Sequence, residues 1–318
     1  MKNRGIYGVE CYSSKTNRLF QVIIKEMFIN GLIAFNLLTF YVALRYNKSF
    51  PKNNIQLALM RFKITLQINH GKHGNLLPLS YQYELSSVIY KIMAKGDFAY
   101  SSWLHNNGFS VENKRFKLFV FSNLLFADAK PIHNTDRLAI FSDTATLYLS
   151  FLPERSTEEF IKGIFLEKEF SIGDKKSKVH FRVQSVELLP SPALKEEMVF
   201  QTLSPVVVSV KNDEGRISYL SPETEGYSRM LLNNLKEKYK AFYKKPFEGS
   251  EEFEFELLSE PKSKLITIKA NTEEETKVRG FNYRFRLRAD KEFIDIIINS
   301  GLGEKGSSGF GYCQTIDI

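Results

Sequence analysis

The 318-residue chain is 43% hydrophobic and 25% charged, a balance that belongs to globular proteins and excludes a disordered chain. Two cysteines, Cys11 and Cys313, exclude a disulfide framework and a cysteine-based metal motif, and make a reducing cytoplasm the default compartment. The net charge of +8 suggests an anionic partner, but residues 1–59 carry eight Lys/Arg against two Glu, so the rest of the chain holds only about +2 and must meet any anion with a local patch.

Met27 to Leu44 runs eighteen residues without a charge, near the lower limit for a membrane span. Asn30, Asn36 and Thr39 interrupt it, and no small-residue cleavage site of a signal peptide follows. Met60 is followed at once by an alternating strand, Arg61 to Asn69. Met60 is therefore the expected functional start and 1–59 an upstream translation artefact; a membrane-anchoring extension is the second reading. From there the periodicity predicts a helix over 79–95 opened by Pro78, with Leu85, Val88, Ile89 and Ile92 on one stripe. A short helix over 98–106, ended by Gly108, and a strand over 116–121 follow. Next come a hairpin of 138–141 with 146–152, a helix over 154–166 and a strand over 179–188. Leu189-Pro-Ser-Pro192 punctuates the chain. The order then recurs: strands over 199–203 and 206–210, a helix from Pro222 to about Tyr243, and strands over 253–258, 265–269 and 280–288. A short helix or strand over 291–299, a glycine-rich loop and a last strand over 312–316 close the chain. The expected fold is α+β: two tandem ferredoxin-like domains, over 60–190 and 191–318, each an antiparallel sheet with helices on one face.

The loop Gly301 to Gly311 holds five glycines in eleven residues, and its opening spells the dinucleotide fingerprint G-x-G-x-x-G. That fingerprint needs a βαβ unit and an acidic residue about 20 positions later, and the seventeen residues after Gly301 cannot supply them. The loop is instead expected to bring bare backbone N–H groups to a phosphate; a flexible turn is the plain alternative. Nearby, a strand over 284–288 sets Arg284, Arg286 and Arg288 on one face and Phe285 and Leu287 on the other. Three arginines in a row repel unless an anion lies across them, which favours a phosphate track over an edge strand with acidic partners. The run Lys236-Glu-Lys-Tyr-Lys240 reads as a solvated helix face. His70 and His73 have ligand-like spacing but no third ligand, and His133 and His180 read as structural or surface residues. His105 ends a short helix, where a histidine can simply complement the helix C-terminus.

From Met60 onward the chain resembles the CRISPR-associated endoribonucleases of Cas family six, which cut the repeats of precursor CRISPR RNA. The resemblance rests on stretches in order: MRFKITL at 60–66, YQYELSSVIYKIM at 81–93, Trp103-Leu-His-Asn-Asn-Gly108, FKLFVFS at 116–122, Leu203-Ser-Pro205 and the glycine loop, which is the most specific of them. It implies metal-independent RNA cleavage with no cofactor, by attack of the 2′-hydroxyl, leaving a 2′,3′-cyclic phosphate and a 5′-hydroxyl. The family's tyrosine, histidine and lysine fall on Tyr90, His105 and Lys117. Tyr81 and Tyr83 compete with Tyr90, and Lys114 and Arg115 with Lys117. On the residue reading above, the expected RNA contacts are Gly301, Gly303, Lys305, Gly306, Gly309 and Gly311, with Arg284, Arg286 and Arg288 beside them. Precursor CRISPR RNA is the implied partner, with other effector-complex subunits as further candidates; monomer and homodimer both stay open. The alternative function is a non-catalytic subunit that only grips the repeat RNA.

Overall fold

The computed structural model describes residues 61–250, 252–270 and 272–316. The apolar stretch 27–44 and the expected start at Met60 lie outside them. Among the described residues no helix is long and apolar enough to cross a membrane.

Strand β1 (Arg61–Asn69) follows the alternation in its sequence, burying Phe62, Ile64, Leu66 and Ile68. It sits inside a sheet with β2 (Phe119–Phe121), β3 (Thr144–Phe151), β4 (Glu169–Gly173) and β5 (Lys178–Leu188), in the order β4-β5-β1-β3-β2. Every pairing is antiparallel. Helices α1 (Gln82–Gly96) and α3 (Glu154–Leu166) pack together on one face, and α2 (Phe98–Asn106) follows α1 directly. Two glycines set how closely α1 and α3 meet. A Cβ at Gly163 would lie 1.7 Å from the carbonyl oxygen of Ile92, and one at Gly96 would lie 2.3 Å from that of Glu159. Helix α1 begins at Gln82 and not at Leu79. Pro78 belongs to a short strand, Leu76–Pro78, paired with Arg137–Ile140, and the Leu79 N–H still bonds the Asp136 carbonyl.

The second half repeats the order. Strands β6 (Glu197–Thr202), β7 (Phe253–Leu257), β10 (Arg284–Ala289) and β11 (Cys313–Thr315) form a sheet ordered β7-β10-β6-β11, all antiparallel. Between β7 and β10 lies a separate ribbon of β8 (Lys262–Ile268) and β9 (Thr276–Asn282). Helices α4 (Tyr227–Tyr243) and α5 (Lys291–Ser300) complete it. The second half is strand–helix–strand–strand–helix–strand, and the first follows the same order with α2 added after α1 and β4 added at the sheet edge, the tandem ferredoxin-like arrangement expected. Helix α5 is apolar nearly all round because both halves cover it. It touches α4 and β11 on one side and β2 and β3 on the other.

Three expectations of detail are corrected. The strand expected over 116–121 is broken: Lys114–Phe116 pairs with Phe109–Val111, and β2 pairs with β3, the two being separated where Leu118 takes a left-handed conformation (φ 53°). The hairpin of 138–141 with 146–152 does not form. Arg137–Ile140 pairs with Leu76–Pro78 and Ala129–Pro131, while β3 slots between β1 and β2, which take its backbone hydrogen bonds, and α3 and α5 pack against it. The strand over 280–288 is divided at Tyr283, whose hydroxyl bonds the Tyr227 hydroxyl at 2.8 Å in the second core.

Candidate active site

Helix α2 fixes one corner of the site. Asp97 caps its start, accepting the Tyr100 N–H at 2.9 Å, and the chain turns away at Gly108, whose N–H bonds the Trp103 carbonyl. His105 lies exposed in the last turn, its Nδ1 3.1 Å from Asn106 Oδ1. The break after Phe116 carries Lys117 against this helix end, where Lys117 Nζ donates to the His105 carbonyl at 2.7 Å and Arg115 donates to that of Asn106 at 3.0 Å. Burial, aided by the Arg115 charge, lowers the Lys117 pKa to about 8. A Cβ on Gly108 would strike Phe116 O at 2.5 Å, so glycine is what lets the corner and the lysine meet.

The three tyrosines of the first helix region lie in different surroundings. Tyr81 is buried and its hydroxyl accepts the Leu124 N–H. Tyr83 faces solvent beneath Lys269 Nζ. Tyr90 alone of the three stands against His105, ring centroids 4.9 Å apart and edge-on, with Phe119 at 5.4 Å on another side. Burial pushes the Tyr90 phenol above its ordinary range, so it is protonated at neutral pH, and its hydroxyl hydrogen-bonds the side chain of Ser307. Lys114 is turned away and paired with Glu237 at 2.6 Å. The structure therefore brings Tyr90, His105 and Lys117 to one place.

The glycine loop reaches the same place from the second half, but not in the way its sequence suggested. Gly301, Gly303, Gly309 and Gly311 are buried. The N–H groups of Gly301, Gly309 and Gly311 are taken by the carbonyls of Ile297, Gly306 and Pro205. These glycines serve close packing: side chains there would strike Val120, the Val207 carbonyl, Phe121 and the Leu302 carbonyl. The expected clamp of bare N–H groups is corrected at these positions, leaving Lys305 and Gly306 at the accessible tip. Ser307 O accepts from Ser86 Oγ of α1 at 2.6 Å, docking the tip beneath Tyr90. Sequence reasoning missed the anchor. Lys238, read as part of a solvated face, is 4% exposed and donates to Gly301 O at 2.6 Å, and burial lowers its pKa to about 7. Its spacing from Leu231 and Leu235 (i, i+4, i+7) was the available signal.

The arginine strand is elsewhere, and its premise is corrected. Strand β10 is an interior strand, and two of its arginines face glutamates: Glu197 and Glu254 lie opposite Arg288, and Glu256 lies opposite Arg286, while Arg284 lies opposite Gln201. Arg286 forms ion pairs with both Glu256 and Glu197. No missing anion is needed to hold Arg286 and Arg288 side by side. No group of His, Cys, Asp or Glu suited to a metal exists among the described residues; His180 is buried, bonded to Ser171 and Glu169.

Lys117 and the loop tip open onto a cleft of about 750 Å³ between the halves, walled by the 114–119 segment, α4 and the hairpin Ser209–Lys211/Ile217–Tyr219. Residues 76–187 match the family model for the N-terminal part of CRISPR-associated protein Cas6, and 189–315 match the model for its C-terminal part. The chain is 29% identical over 261 residues to the CRISPR-associated endoribonuclease Cas6 1 of Methanocaldococcus jannaschii, covering 81% of this chain and 93% of that one. Among solved structures it is similar to the product of a Cas6-related gene from Pyrococcus furiosus (26% identity, TM-score 0.70, 81% of this chain and 99% of that one). It is also similar to a CRISPR-associated protein Cas6 (27% identity, TM-score 0.61, 81% and 99%). On two family models that meet end to end over nearly all the described fold, the chain belongs to the Cas6 family of CRISPR-associated proteins.

Proposed function

We propose that this protein is an endoribonuclease that cuts CRISPR repeat RNA without a metal ion, using Tyr90, His105 and Lys117. The observation that carries the reading is the convergence of these three side chains at the end of α2. RNA supplies its own nucleophile. The 2′-oxygen forms a bond to phosphorus, the bond from phosphorus to the 5′-oxygen breaks, one proton leaves the 2′-hydroxyl and one reaches the departing 5′-oxygen. The products are a 2′,3′-cyclic phosphate and a 5′-hydroxyl. Histidine is the side chain suited to moving protons near neutrality. The Lys117 ammonium stands where it would offset the charge gathering on the phosphorane. Tyr90, held protonated and bonded to Ser307, orients the 2′-hydroxyl and does not act as the base.

The reading is tested with repeat RNA from the host's own array. Wild-type protein is expected to cleave it in EDTA and to give cyclic-phosphate and 5′-hydroxyl ends. A single 2′-deoxy substitution at the nucleotide before the cut is expected to stop cleavage. Cleavage of the deoxy RNA, or none in EDTA, would refute the mechanism. Tight binding with no cleavage at all would favour the non-catalytic subunit.

A further inference from the structure

We infer that the cleft beyond Lys117 is a receptacle for one unpaired nucleotide of the RNA, next to the scissile phosphate; this rests on the endoribonuclease reading above. Attack at phosphorus needs the attacking and leaving oxygens in line. A continuous A-form stack holds the 2′-oxygen to the side of the bond that must break, so a nucleotide at the cut has to leave the stack. An extruded nucleotide needs somewhere to go, and enzymes that extrude one seat it in a pocket.

The cleft has the makings of such a pocket. Its volume, about 750 Å³, falls within the roughly 300–1,000 Å³ of pockets that enclose small ligands. It adjoins the reacting centre, because Lys117 lines it as well as holding the His105 carbonyl. Its apolar lining includes Phe116, Met230 and Ile217, the last 57% exposed on the hairpin. An exposed isoleucine and a half-buried phenylalanine beside cations are the elements of a single-strand site, where apolar contact takes the base and charge takes the backbone.

The charges fit the same occupant. Lys211 and Lys305 line the cleft, are exposed, and make no ion pair among the described residues. Of the two carboxylates of the lining, Glu237 is paired with Lys114, and Glu304, held by the N–H and hydroxyl of Ser209, keeps one negative charge against the three of Lys117, Lys211 and Lys305. The free charge in the cleft is therefore positive, on both the N-terminal wall (Lys117) and the C-terminal wall (Lys211, Lys305). Asn233, exposed on α4, adds an amide at the wall for a base edge.

The test uses the host repeat RNA as a set of molecules, each with one abasic ribose, walked along the strand. Wild type is compared with Lys211→Ala and Ile217→Ser, both at exposed positions on the hairpin. Each variant is expected to lower kcat/KM on intact RNA by about tenfold, the scale of one base contact. One abasic RNA, next to the cut, is expected to lower wild-type efficiency by a similar factor; Ile217→Ser, which acts on the base, should lose nothing further on it, whereas Lys211→Ala, which acts on the backbone, should lose its own factor again. Abasic sites two or more nucleotides away should leave the comparison unchanged. Wild-type efficiency in both variants, or Ile217→Ser losses that multiply at every abasic position, would overturn the proposal. RNA affinity is read in the same samples. If His105→Ala cut as fast as wild type, the catalytic assignment would fall, while the coupling between Ile217→Ser and one abasic position would still judge the cleft.

Discussion

Two clusters of cations occupy short strands of this molecule, Lys114–Lys117 beside α2 and Arg284–Arg288 in β10, and only their surroundings separate them. In β10 Arg286 and Arg288 project from an interior strand between neighbours that present Glu197, Glu254 and Glu256, so their part of the face alternates in charge, and Arg284 lies opposite Gln201. Beside α2 only Lys114 has a carboxylate. Arg115 and Lys117 hold carbonyl oxygens, which accept hydrogen bonds but do not cancel charge, and partial burial makes the Lys117 charge costly. Each run holds three cations, and the one in β10 is the quieter. A positive potential that a phosphate can use comes from uncompensated charge at a cleft and not from the count of basic residues.

The comparison can be broken most forcefully at Lys117. Lys117→Ala is expected to reduce single-turnover cleavage by about 100- to 1,000-fold, the scale for losing one preorganised stabiliser of developing charge, with RNA affinity little changed. The wild-type rate should also fall as pH rises through about 8, where Lys117 loses its proton. In Lys117→Arg, which stays charged, that alkaline decline should vanish; a decline of the same midpoint would detach it from Lys117. A smaller effect belongs to Ser307. Ser307→Ala should slow cleavage by about three- to tenfold, the worth of one hydrogen bond, and Ser307→Thr should restore it. In a protein already carrying Tyr90→Phe the same change should cost nothing more, and additive losses would show that Ser307 does not act through Tyr90. The smallest change is expected in β10. Arg286→Ala should leave the salt dependence of RNA binding in place and alter stability by about 1 kcal/mol or less, as for exposed ion pairs. A clearly flattened salt slope would restore β10 as a phosphate track.

Much of the fold was legible because the signals were local. Alternation in 61–69 gave β1, and Gly108 marked the end of α2. The misreadings have nonlocal causes. Leu118 adopts a positive φ that nothing in its side chain announces, so the break that presents Lys117 was hidden in an apparently continuous strand. The partners of the arginines lie 30 residues or more away along the chain, although Glu254 and Glu256, alternating with Phe253, Phe255 and Leu257, carried the pattern that would place them outward. Residue type made the glycines resemble a ligand loop, whereas burial assigns most of them to the contact between halves. The trio itself was legible only through family resemblance. Composition and spacing left three tyrosines and three cations open, and tertiary contact at His105 selects among them.

The claim that the end of α2 is where RNA is cut is tested most directly by single-turnover cleavage of the host repeat RNA with saturating His105→Ala protein. A loss of roughly 100- to 10,000-fold in rate with affinity retained is the expected result. Cleavage at the wild-type rate would contradict the account.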